Sequence, residues 1–161
     1  PAAAADPVLP TVRWYGPDGI AGSTALLARP AAVSFAEKVG YPAPIFGLDP
    51  TAADKWQPIP ARTQARAGQA PDAFALGVYD AVWVAALAYL ASDRPAKLEE
   101  LSANFESAAG SFYGATGWTA LNPAGDRRYA NFDFFAVRPS GGAHAWVRVA
   151  GYDTRSGTLR R

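Results

Sequence analysis

Residues 73–91, AFALGVYDAVWVAALAYLA, carry one charged side chain, Asp80, and otherwise only Tyr79 as a marked polar break. At 3.6 residues per turn this pattern leaves no polar stripe, so it predicts a helix enclosed on several sides. Asp72 precedes it in the position of an N-cap. The longest uninterrupted apolar run inside it, residues 81–91, is about half of the roughly 20 residues that cross a bilayer, which makes it a core helix. A helix apolar all round constrains the chain strongly, because other layers must cover it. With 161 residues, half of them apolar, the chain is long enough to bury a core.

The flanking sequence alternates between the periods of strands and helices. Residues 11–15 read as a short strand, closed by Gly16-Pro17-Asp18-Gly19, after which a helix should follow. Residues 31–39 have helical spacing, with Pro30 at the start and Gly40 and Pro42 at the stop. A buried strand over 43–48 and a helix over 59–67 come next, the latter despite Pro58 and Pro60. Residues 92–95 read as a linker. Residues 97–109 form an amphipathic helix with Leu98, Leu101 and Phe105 inward. The rest is β: a strand within 112–121, a turn at 122–126, an alternating strand over 131–138, a turn at 139–142 and a last strand over 145–150. This order predicts an α/β architecture with crossover helices on a largely parallel sheet. A doubly wound sheet needs more strands than these, so earlier βα units are expected to be absent.

The chemistry-bearing residues are few. Net charge is +1 and the Lys and Arg are scattered singly or in pairs, without the basic stripe that nucleic-acid binding requires. There is no cysteine, and one histidine, His144, lies in a Gly-rich segment that reads as an exposed loop. No metal cluster, phosphate loop, dinucleotide fingerprint or nucleophile elbow is present, so no catalytic residue, metal or cofactor is assigned. Glu99 and Glu100 are consecutive and project from different helix faces, as solvated residues do. Asp18 has two readings. Gly-Pro-Asp-Gly is a favoured β-turn, and its position just past a strand end is also where open α/β sheets bind ligands. Phe74 and Tyr79 read locally as core aromatics.

Three stretches change the balance: WYGPDGIA at 14–21, DAFALGVYDAVWVAALAYL at 72–90 and YGATGWTALNPAGDRRYANFDFFAVRPSGG at 113–142. In this order they resemble the C-terminal half of type 1 periplasmic binding proteins, and within them the branched-chain amino-acid receptors of ABC transporters. The frame from Gly117 to Asp126, followed by an aromatic alternating strand, carries most of the likeness. The resemblance implies parts of two Rossmann-like lobes in a three-layer α/β/α fold, incomplete without the N-terminal half. Residues 1–44 would belong to the C-terminal lobe, 45–131 to the N-terminal lobe, and 132–161 to the C-terminal lobe again.

It also implies that Asp18 accepts hydrogen bonds from a ligand ammonium and that Phe74 lines the side-chain pocket. Tyr15 or Trp14 would contribute, only one of them because neighbouring strand residues face opposite ways. The protein would then be a non-enzymatic solute receptor, periplasmic or extracellular, with or without a lipid anchor. Its partners would be a small amino acid, amide or acid, the membrane permease, and the missing half or a second copy of the chain. Three other readings stay open: a sensor domain of the same fold for an amide, urea or aromatic acid, a hydrolase or lyase fragment, and an interaction module with an empty cleft.

Overall fold

The structure, a computed structural model, describes residues 5–93 and 97–161. Arg94 and Pro95 of the expected linker lie outside the described residues, as does most of the Ala-rich opening. The chain is mixed α/β with a mostly antiparallel sheet. It divides into two compact units, one made of Pro1–Gly47 with Phe132–Arg161 and the other of Leu48–Asn131.

The first unit is built on a four-stranded sheet. Strands β1 (Ala43–Gly47), β4 (Asn131–Ser140), β5 (Ala143–Asp153) and β6 (Thr158–Arg160) lie side by side in that order. The largely parallel sheet expected from the element order is not found, for a physical reason. Gly141 and Gly142, with φ of 58° and 83°, make a two-residue turn, and such a turn returns the chain antiparallel, whereas a parallel pair needs a crossover of about a dozen residues. Strand β6 pairs antiparallel with β5, Tyr152 opposite Leu159, after a turn that ends on Gly157 at φ 66°. No strand is expected there from the sequence pattern, although Ser156-Gly157 is a turn signal.

Helices α1 (Thr24–Leu27) and α2 (Pro30–Val39) accompany this sheet. The Ser23 hydroxyl caps α1 by accepting from the Leu26 amide, Pro30 opens α2, and Gly40 in the left-handed region closes it. Val33 and Ala36 of α2 meet Val137 of β4 in a small core flanked by Leu26, Leu27, Tyr41 and Trp146. The strand expected over 11–15 does not form. A 3-10 turn at Leu9–Thr11 gives way to extended chain, and among the described residues its link toward the sheet is one bond, from the Gly16 amide to the Pro42 carbonyl at 2.9 Å. Extended residues without a ladder partner are not a strand.

The second unit comprises α3 (Ala53–Trp56), α4 (Pro58–Ala67), α5 (Ala73–Leu90) and α6 (Leu98–Ser111), followed by a hairpin of β2 (Tyr113–Gly114) and β3 (Gly117–Trp118). Both prolines of α4 sit in its first turn, where backbone N–H groups lack helical partners anyway. The amide of Ala75 donates to Asp72 Oδ1 at 2.8 Å, so Asp72 is the N-cap of α5. Asp72→Ala is expected to cost about 1 kcal/mol, read as a lower urea midpoint at unchanged slope.

Helix α5 is not enclosed on several sides. Leu76, Asp80, Val84 and Ala88, spaced four apart, form its buried stripe, while Val78, Val82 and Leu90 are 63%, 63% and 67% exposed. Helix α6 and the hairpin cover one face, and among the described residues of this unit no layer closes the rest. On α6, Leu101 and Phe105 are half-buried as expected, whereas Leu98, at the first helical position, is exposed.

Candidate functional site

The turn that bears Asp18 is fixed by a close approach. A Cβ on Gly16 would lie 2.6 Å from Ile20 Cγ2 and 3.0 Å from both the Ala43 Cβ and the Tyr41 hydroxyl, so only glycine lets the segment settle against the start of β1. The chain then tightens into a 3-10 turn over Asp18–Ile20, with the Ile20 amide on the Pro17 carbonyl and the Ala21 amide on the Asp18 carbonyl. The Asp18 side chain is exposed. Its Oδ1 accepts from the Gly19 amide at 2.7 Å, and its other oxygen has no partner among the described residues. Because residues 11–15 form no ladder, the placement of Asp18 at the carboxyl end of a strand does not hold; the turn sits beside the first residue of β1 instead.

Tyr15 and Trp14 divide as alternation requires. Trp14 turns inward, its indole N–H on the Leu9 carbonyl at 2.8 Å and its ring edge-on to Phe35 at 5.4 Å, while Tyr15 is exposed. Tyr15 and Asp18 thus share one unit. Phe74 belongs to the other, half-exposed at the second residue of α5. The expected loop for His144 is corrected: it lies on β5, and its Nε2 is 2.8 Å from Glu37 Oε2 of α2. Glu100 is not merely solvated, since it accepts from the Asp93 amide at 2.6 Å.

A buried polar cluster centred on Asp80 is not apparent from the sequence pattern. Asp80, 1% exposed, accepts from the amides of Ala115 and Thr116 at 2.8 and 2.7 Å and from the Thr116 hydroxyl at 2.5 Å. Arg127 closes the arrangement from the far side, donating to the Thr116 hydroxyl and carbonyl and to the Trp118 carbonyl. Burial pushes the Arg127 guanidinium below the usual arginine range, opposed by the negative charges of Asp80 and Asp49. A charge inside an otherwise apolar helix was the available signal, because a buried carboxylate needs donors to stay ionised. Both carboxylate oxygens accept from the hairpin, so this cluster locks β2–β3 to α5.

No family model matches the chain. It is 30% identical over 157 residues to an uncharacterized protein of Methanocaldococcus jannaschii, an alignment that takes in 91% of this chain. The chain spans 36% of the length of that curated relative.

Proposed function

We propose that this chain is the C-terminal portion of an extracytoplasmic solute-binding protein that captures a small amino-acid-like ligand and hands it to an ABC permease. The observation that carries the reading is the Asp18 carboxylate, exposed on a turn that Gly16 holds in place, with one oxygen uncommitted among the described residues. A carboxylate so placed is suited to an ammonium or amide N–H, and a charge-assisted bond of that kind is roughly twice as strong as a neutral one. Two further features are in keeping with it. The chain crosses between its units after Gly47 and again after Asn131, as the two-lobe reading requires, and the open faces of α5 suit a protein whose N-terminal half supplies their cover. In this reading the protein acts by binding alone, outside the cytoplasm, and ATP hydrolysis is the work of separate subunits.

The test is a thermal melt of the full-length protein against amino acids, amides and aromatic acids. A ligand at about 100 times its Kd adds about 2.7 kcal/mol to the folded state and raises the midpoint. Asp18→Ala is expected to abolish that rise while leaving the ligand-free midpoint in place. A rise that survives Asp18→Ala, or a panel in which nothing shifts the melt, sinks the assignment.

A further inference from the structure

Along α4 and the first half of α5 runs an open cleft of about 660 Å³, within the range of small-molecule sites. Lys55, Arg62 and Arg66 are on its lining, together with Tyr79, Trp83 and Tyr113. Residues 55–71 hold those three cations and no Asp or Glu. Among the described residues none of the three is in an ion pair. Arg62 and Arg66 lie four apart on one helix, where like charges repel unless something neutralises them.

The donors are partly pre-set. Lys55 Nζ donates to the Tyr113 carbonyl at 2.8 Å and sits 5.3 Å from the centre of the Tyr113 ring. Arg62 spends Nε on the Pro58 carbonyl at 3.1 Å, which leaves both terminal nitrogens for an anion. Asp80 is the one carboxylate on the lining, and its oxygens are taken by Ala115 and Thr116. On the same lining Tyr79 and Trp83 meet edge to face at 6.4 Å, both residues about half exposed, so ring surface remains for a planar group to stack on.

We propose that this cleft binds an aromatic dianion, a planar ring carrying a phosphate, with the ring on Tyr79 and Trp83 and the phosphate among Lys55, Arg62 and Arg66. Three cations call for more than one negative charge, and a phosphate monoester brings about −1.5 to −2 near neutral pH. The site lies wholly in the second unit and is independent of the role given to Asp18.

Adenosine monophosphate is the probe, titrated into the full-length protein and followed by tryptophan fluorescence and calorimetry. A saturable quench with Kd below about 1 mM is expected, with adenosine and inorganic phosphate each about tenfold weaker or more. The double variant Arg62→Glu/Arg66→Glu should weaken binding by about tenfold or more with an unchanged melting midpoint, since both side chains are exposed. Trp83→Ala should lose most of the quench and weaken the calorimetric affinity by about tenfold, and Asp18→Ala should change neither. The proposal is overturned if no saturable response appears by about 10 mM, if the charge-reversed variant binds equally well, or if inorganic phosphate matches the nucleotide.

Discussion

Asp80→Ala is expected to remove about 3–5 kcal/mol, the range for breaking a buried charged cluster by deleting one member. The carboxylate is 1% exposed and holds three donors of the hairpin. Alanine would leave the Ala115 and Thr116 amides without an acceptor and Arg127 without the negative charge that offsets its burial. Each orphaned buried donor costs about 1–3 kcal/mol. Asp80→Asn keeps the shape but sets an NH2 group against one of those donors, so a loss of about 2 kcal/mol is expected. Urea titration followed by far-UV circular dichroism reads both. A midpoint for Asp80→Ala within error of the parent would mean that water serves these amides and that the cluster does not hold the hairpin.

Gly114→Ala should be nearly as damaging, by a different route. A methyl group at that position would overlap the Asp80 carboxyl group, which three hydrogen bonds prevent from moving aside. Overpacking of this kind costs about 1–3 kcal/mol and sometimes more, and the rigidity of the neighbour puts this case at about 3 kcal/mol. The two substitutions should not add. Once Asp80→Ala has emptied the space, Gly114→Ala should cost only about 0.5 kcal/mol further. Full additivity in the double variant would show that the glycine is needed for some reason other than room for Asp80.

Local features were legible in the sequence and distant ones were not. Asp72 as a cap, Pro30 and Gly40 as the ends of a helix, and the turn around Asn122 are set by residues within four positions of one another. In that turn the Asn122 amide donates to the Asp126 carbonyl, and the Asn122 side chain accepts from Ala124 and Asp126. The strand over 131–138 was visible because alternation needs no partner to be seen. By contrast, Asp80 finds its donors 35 and 36 positions away, and His144 meets Glu37 from 107 positions away. Periodicity carries no record of such pairings. It also states only that a surface is apolar, not that a neighbour covers it. That is why α5 reads as enclosed while Val78 and Val82 stand open, and why residues 11–15, bounded by Pro10 and the Gly16–Gly19 turn, read as a strand that no ladder completes. For the candidate site, the sequence located the Asp18 turn and its glycines. What it could not reveal is that Gly16 is wedged between Ile20, Tyr41 and Ala43.

The route of the chain between its units has a consequence for how the molecule is made. Leu48–Asn131 is a continuous stretch inserted between β1 and β4, and those two strands are neighbours in the sheet, with Gly47 lying against Asp133. As the chain leaves the ribosome, β1 emerges first and has to wait for β4 until the whole insertion has been synthesised. The inserted unit makes its α5–α6 packing and its Asp80–Thr116–Arg127 cluster within its own span and can begin to condense before β4 is made. Its collapse then draws the two flanking strands together and lowers the loop-closure entropy that β1 and β4 would otherwise face across an open chain.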